Sequence, residues 1–395
     1  MSRWPLKSIG DICEVNPRLP RGHRIPDDQI VSFVPMAAVD EVSGTIRDRQ
    51  VRSFSEVKKG YTHFMDADVL FAKITPCMEN GKAAIASSLS SGLGFGSTEF
   101  HVLRAKEEVL PEWLFYFVRQ PAFRGEAKRN FTGTAGQQRV PTTFLSAAEI
   151  PVPPLPEQCR IVDLLSRAEG IIRLRREAEK KATELIPALF LDMFGDPATN
   201  PKGWPIQSLK NLVSFVSGGT PSKSREDFWE GDLPWVSPKD LKRVGIDSAI
   251  DHVNRKVLTE TAIKLIPVGS ILVVVRGMIL VHTVPVAQSL VPMTINQDMK
   301  ALLPIQSVNG TYLLWSLRVR QGQLLSLVAT AAHGTKKLET ERLEAFSIPL
   351  PPLAAQEDFA GKLASIESIR YQQSAATAKA QAAFDALLAN VFDNR

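Results

Sequence analysis

Residues Pro154–Asp196 read PLPEQCRIVDLLSRAEGIIRLRREAEKKATELIPALFLDMFGD. Apolar or small residues recur at Ile161, Leu164, Leu165, Ala168, Ile171, Ile172, Ala178, Ala182, Leu185 and Leu189. Steps of three and four mark one apolar face of a long helix. A proline-rich lead-in, IPVPPLPEQ from Ile150, opens the stretch, and Gly195-Asp196-Pro197 closes it. At ~1.5 Å per residue, about 37 residues make a rod of roughly 55 Å. That exceeds an ordinary helix within one small domain. Lying mid-chain, it reads as a spacer between two bodies.

The stretch recurs. Ile348-Pro349-Leu350-Pro351-Pro352-Leu353-Ala354-Ala355-Gln356 repeats the lead-in at an offset of 198 residues. The same offset carries Ile161 to Phe359, Leu165 to Leu363, Ala168 to Ile366 and Ile171 to Ile369. It also carries Ala178 to Ala376, Ala182 to Ala380, Leu189 to Leu387 and Phe194 to Phe392. A register held this long identifies a tandem duplication.

Working outward, 395 residues suit two to three domains. With 44% hydrophobic and 23% charged residues, the composition is that of a globular protein. A net charge of +5 and a pI near 9.0 are compatible with a polyanion partner. Cys13, Cys77 and Cys159 have neither disulfide-framework nor metal-ligand spacing, which points to a reducing cytoplasm. The start, MSRWPLKSIGDICEVN, has no apolar signal core. The most apolar run, Ile271–Leu280, is broken by Arg276 and is too short for a membrane span, so a buried strand is expected there.

Four segments are expected: residues 1–152 and 197–350 as globular units, 153–196 and 351–395 as long helices. Trp4-Pro5 opens the first unit and Trp204-Pro205 the second. Strand-like Asp68–Ile74 and Gly81–Ala86 are answered by Gly269–Arg276 and Val284–Ala287, and Ser97–Leu103 by Asn296–Leu302. Aromatic helices follow at Pro111–Arg119 and Gly310–Arg318, then glycine-polar loops at Thr132–Arg139 and Thr330–Lys337. The fold class is α/β (α+β): two globular domains joined by two long helices. The first helix leaves unit one and arrives at unit two, and the second ends the chain. If their apolar faces bury each other, the helices lie as an antiparallel coiled coil with the units in a pseudo-two-fold arrangement. Pro187, whose counterpart is Asp385, predicts a kink or break in the first helix only. A two-fold object suits duplex DNA read at two half-sites about one turn, ~34 Å, apart.

At this point the chain resembles the specificity (S) subunit of type I restriction-modification systems. The resemblance spans the chain. It rests on the paired lead-ins and helices, the ending Phe190-Leu191-Asp192-Met193-Phe194-Gly195-Asp196, the twin Trp-Pro openings, and the segments Leu70–Lys82 and Gly96–Phe100. It implies a non-catalytic subunit in which two target-recognition domains each read half of a bipartite, asymmetric site on double-stranded DNA. It further implies that the helices dock two methylase (M) subunits, which use S-adenosylmethionine to methylate adenine N6. Two restriction (R) subunits would cleave DNA with ATP and Mg. No cofactor, metal or membrane is implied for this chain itself.

Candidate phosphate or guanine contacts are Lys73, Lys82, Arg129 and Arg139 in the first unit and Arg276, Lys336 and Lys337 in the second. Gln137, Gln138 and Gln297 suit adenine, and Glu79 and Glu99 suit cytosine N4; Thr98, Thr134, His333 and Thr335 complete the DNA-binding set. For each residue singly, a solvated surface role is the alternative. Partner-helix packing is assigned to Ile161, Leu165, Ala168, Ile171, Leu185, Leu189, Phe359, Leu363, Ile366 and Leu387. Trp113, Phe115, Tyr116, Phe117, Tyr312 and Trp315 have helical spacing that favours core packing over base stacking. Gly92–Gly96 reads as a turn, because it lacks the GxGxxG spacing of a nucleotide loop. Asp40 with Glu56-Val57-Lys58 only faintly resembles a nuclease site. His23, His63, His101, His252, His282 and His333 show no metal spacing. The run Arg173–Lys181 reads as a solvated helix face, with docking of a partner helix as the alternative.

No P-loop and no methylase-type Asn-Pro-Pro-aromatic stretch occurs; Asn16-Pro17-Arg18 and Asn200-Pro201-Lys202 are the nearest. Three readings stand: a DNA-reading subunit, a coiled-coil protein scaffold without DNA specificity, and a single-chain DNA-modifying enzyme. The resemblance favours the first.

Overall fold

The computed structural model describes residues 4–19, 25–134, 137–330 and 334–393. Its two long helices span Leu155–Phe194 and Leu353–Phe392, in register with the repeat. Both begin on the same device. Gln158, fully buried, accepts from the Leu110 amide at 2.9 Å and donates to the Pro153 carbonyl at 2.9 Å. Gln356, also fully buried, accepts from the Asn309 amide at 2.8 Å and donates to Pro351 at 2.8 Å. A buried amide must be satisfied on both ends, so this repeated glutamine pins the lead-in to the aromatic helix. The aromatic helices, Pro111–Arg119 and Gly310–Val319, return the tie: Trp113 and Tyr312 donate to the carbonyls of Pro151 and Pro349.

The chain divides into Met1–Ala178 with Gln373–Arg395 (unit 1), and Glu179–Gln372 (unit 2). This differs from four consecutive segments: each long helix is shared between the units. In unit 1, Phe384, Leu388, Val391 and Phe392 of the second helix join Ile161, Leu165 and Ile172 of the first in one core. The pairing there is antiparallel. Along the first helix Glu169 meets Tyr116, while Phe384 and Phe392 of the second face Tyr116 and Trp113 in reverse order. Arg176 donates to Gln381 at 3.0 Å and Arg175 to Gln373 at 3.3 Å. In unit 2, Ile186, Phe190 and Phe194 share a core with Phe359 and Leu363.

Of the kink or break expected at Pro187, the break does not occur: the first helix runs on through it. A proline inside a helix costs about 3 kcal/mol. Burial of Ile186, Phe190 and Phe194 around it contributes roughly 1.5–3 kcal/mol each and prevails. The packing face also sits one residue on from part of the expected stripe. Ile171 and Leu185 are 53% and 57% exposed, whereas Ile172 and Ile186 are buried. The buried set steps by whole turns of 3.6 residues, and the outer flank of a broad apolar stripe drifts out of reach. Ala168, Leu189, Ile366 and Leu387 pack at the core margins.

Each unit repeats one topology, which the sequence did not order. In unit 1 the strand order is Cys13–Val15, Phe100–Ala105, Val69–Ala72, Ala83–Ile85, all antiparallel. Unit 2 matches it with Val213–Ser217, Met299–Pro304, Ile271–Val274, Val286–Ser289, and adds Gly245–Ile246 at the edge. Val69–Ala72 and Ile271–Val274 are fully buried, as continuous apolar runs in central strands should be. A second sheet pairs Gln50–Ser53, Ile30–Val34, Leu93–Gly96 and Thr62–Met65; its counterpart holds Asp251–Val253, Leu233–Val236 and Thr294–Ile295. Where the fourth strand would stand, unit 2 keeps the single bridge Ile266–Met293.

Two local expectations are corrected. Leu93–Gly96 is a strand, not a turn, and a Cβ on Gly94 would fall 2.2 Å from the Phe64 ring. The run Ile271–Leu280 is strand only to Val274. There the amides of Val275 and Arg276 both turn to the Asp298 carbonyl, at 2.8 and 3.2 Å, and the ladder stops. The aromatic set Trp113, Phe115, Tyr116, Phe117, Tyr312 and Trp315 is core, and Asp40 and Glu56 serve as local caps.

Candidate nucleic-acid interface

In unit 1 the central strand leaves its sheet at Lys73, whose amide donates to the Glu99 carbonyl at 2.9 Å. The chain from the glycine-polar loop closes over it. Val140 donates to the Lys73 carbonyl at 2.9 Å, Thr75 to Gln138 at 3.1 Å, and Arg139 bridges to both Ile74 and Thr132. The Arg139 guanidinium then forks over the Glu99 carboxylate with two bonds of 2.9 Å. Hydrogen bonding from Arg139 holds Glu99 below the usual carboxylate range. Five predicted residues therefore meet at one junction: Lys73, Glu99, Gln137, Gln138 and Arg139. Thr98, Thr134 and Gln137 are exposed beside it.

Other predicted residues are engaged elsewhere. Lys82 is mostly buried, donating to the Met36 carbonyl at 3.4 Å and pairing with Glu41 at 3.6 Å. Glu79 is ion-paired with Lys128, and its carbonyl accepts from Arg124. Arg129 is exposed at the end of the helix Pro121–Arg129.

Unit 2 builds the same junction with different side chains. Leu338 donates to the Val275 carbonyl at 2.8 Å, Arg276 bridges to Lys337, and Gly277 donates to the Lys336 carbonyl at 3.0 Å. The loop here is a hairpin, Val328–Thr330 with Lys336–Leu338. Lys336 donates to Thr330 at 2.7 Å and Lys337 pairs with Glu339 at 2.8 Å. Arg276 is exposed, Thr335 is half-buried, and exposed Gln297 accepts from Thr220. His333, and Ala135-Gly136 of the first loop, lie outside the described residues.

Beneath the unit 1 junction sits His101, buried against the Val140 carbonyl, 2.8 Å from Nε2. A carbonyl only accepts, so Nε2 carries the proton and Nδ1 accepts from Asn16 at 3.1 Å. Burial lowers the pKa of this ring to about 4. The equivalent strand position in unit 2 is Lys300, which donates to Ser217 at 3.0 Å.

Sequence reasoning missed two features of unit 2. Met278, Ile279 and Val281 stand exposed on a short turn next to Arg276, and Lys239, Lys242 and Arg243 rim a cleft that Ile279 also lines. The first was masked by its place in an apolar run; the second has no local pattern. Among the described residues no group of three or more His, Cys, Asp or Glu side chains could hold a metal ion. None of the described helices is long and apolar enough to cross a membrane.

Two copies of one α/β frame, each pinned to two long helices and each ending in a cation-bearing loop junction, define a duplicated α/β protein. The chain belongs to the family described as the type I restriction modification DNA specificity domain, whose model matches residues 1–184 and again 201–375. It is 39% identical over 165 residues to the type I restriction enzyme EcoEI specificity subunit of Escherichia coli, covering 42% of this chain and 27% of that one. It is 30% identical over 241 residues to the EcoR124I/EcoR124II specificity subunit of Escherichia coli, covering 59% and 56%. The matches thus span from about a quarter to about half of these relatives. A chain in a solved structure concerning assembly of the type I R-M system shares the fold, with a TM-score of 0.67 at 22% identity over 98% of this chain and 97% of that one.

Proposed function

We propose that this chain is the DNA-reading subunit of a type I restriction-modification complex in the cytoplasm. Each unit reads one half of a split, asymmetric duplex site, and the long helices set the spacing between the halves. One observation carries the reading: the two junctions share a backbone frame but differ in nearly every exposed side chain. A conserved frame with diverged contacts is what two unlike half-sites require.

The helices also dock two methylase subunits, which methylate adenine N6 with S-adenosylmethionine; two restriction subunits supply ATP- and Mg-dependent cleavage. In unit 1, Leu164, Ile171 and Leu174 are left open on the first helix, an apolar flank that suits a partner helix. The chain itself is a non-catalytic reader.

The test is a methylome. The chain and its methylase are expressed in a methylation-free host and the modified bases are sequenced. Adenine methylation at one split motif, lost when the chain is omitted, is the expected result. Methylation that persists without the chain, or none from a methylase shown to be active, overturns the reading. Methylation or cleavage by the purified chain alone would favour a self-sufficient enzyme.

A further inference from the structure

The apolar run of unit 2 ends by placing large side chains in water. Gly277, at φ +129°, starts a short turn over Met278–Val281. Leu280 anchors the turn and is 1% exposed, while Met278, Ile279 and Val281 are 63%, 42% and 42% exposed. Scattered apolar residues on a surface need no explanation, but three on one four-residue turn form a patch that wants a partner.

Its surroundings say which partner. On one side the turn is tied to the hairpin, through Gly277 to Lys336 and Arg276 to Lys337, so three cations border it. On the other side Ile279 lines the cleft rimmed by Lys239, Lys242 and Arg243. Arg243 is paired with Asp247 at 2.7 Å, whereas Lys239 and Lys242 are exposed. An apolar knob between two basic groups fits a polyanion that carries apolar groups in its groove. Duplex DNA is such a surface: phosphates meet the cations, and thymine C5-methyls meet the knob. The equivalent turn of unit 1 carries Pro76, Cys77 and Glu79 around buried Met78, so this chemistry is confined to unit 2.

We propose that Met278 and Ile279 are specificity-determining residues of unit 2, packing against thymine methyl groups in the major groove of its half-site. This rests on the DNA-reading assignment above.

The test uses the whole chain with its methylase and the split motif read from the methylome. Duplexes are made with deoxyuridine replacing thymine in each half in turn, which removes only the C5-methyl. The wild-type complex should bind one of these duplexes about fourfold more weakly per contacted methyl lost. The Met278→Ser, Ile279→Ser double variant should lose that discrimination while keeping the motif of the other half, which also shows that it folds. Met278→Leu should retain the discrimination. The proposal is overturned if the variant discriminates as wild type does, or if neither half responds to deoxyuridine. It is equally overturned if the variant loses only its assembly with the methylase, which would make the knob a protein contact. Absence of any split motif in the wild type sinks the DNA-reading assignment itself, before any variant is made.

Discussion

The two junctions are built on one backbone and finished in opposite chemistries. In both units the central strand hands its next amide to the carbonyl just before the neighbouring strand, Glu99 or Asp298, and is bridged by the loop residue Arg139 or Lys337. In both, a buried apolar anchor, Met78 or Leu280, holds the following turn. Unit 1 then presents a carboxylate–guanidinium fork over a buried neutral histidine; unit 2 presents an exposed arginine, two half-buried lysines and an apolar knob. Duplication fixed what the backbone must satisfy, namely its own hydrogen bonds and core. It left open what faces solvent, where substitution costs little stability. On the proposed function, two readers with unlike specificities share one fold.

The largest effect should come from what the units share. Phe194→Ala removes a ring packed on Phe190, Tyr312 and Phe359 and should destabilise unit 2 by about 3–5 kcal/mol, read from its urea transition. A cost below about 1 kcal/mol would mean that the helix end is not part of that core.

Acid should separate the units next. His101 has a folded pKa of about 4, below the ordinary 6.5, so below pH 6.5 the unfolded chain takes up a proton that the folded one refuses. Unit 1 stability should fall by about 3 kcal/mol as pH drops from 6.5 to about 4. His101→Gln, which keeps a donor for Val140, should flatten that fall. An equal fall in the variant would assign it to other groups. Glu99 adds to the acid limb lower down: its depressed pKa stabilises above the ordinary carboxylate range, and this is lost as pH falls through the folded value.

Salt sharpens the contrast further. Arg276→Ala, removing an exposed cation, should lower the slope of log affinity against log salt by about one for duplex DNA. An unchanged slope would place Arg276 off the phosphates. The smallest effect belongs to the open flank of the first helix. Ile171→Ser should change stability by less than about 0.5 kcal/mol, whereas Ile172→Ala should cost about 2–5 kcal/mol. If the flank docks the methylase, Ile171→Ser should still weaken co-purification with it, and unaltered co-purification would move the docking surface elsewhere.

Much of this was legible in the residues. Periodicity and the 198-residue offset determined the two long helices, the duplication and the aromatic core helices, because repeated apolar spacing is a one-dimensional consequence of burial. The glycine-polar loops could be marked as candidate sites, and the structure brings Gln137, Gln138 and Arg139 of the first together with Lys73 and Glu99. Other outcomes depended on neighbours far away in sequence. Whether Pro187 broke its helix was settled by what Ile186 and Phe190 pack against. Lys82 went to Glu41, and Glu79 to Lys128, because the fold put those charges within reach. Ile171 and Ile172 differ by one residue, and only the packed helix showed which faces the core. Met278 and Ile279 read as buried from their apolar company, until the Asp298 carbonyl and Gly277 turned the chain out of the sheet. Local pattern determines which residues want burial; tertiary structure alone decides which of them obtain it, because buried space is shared among distant segments.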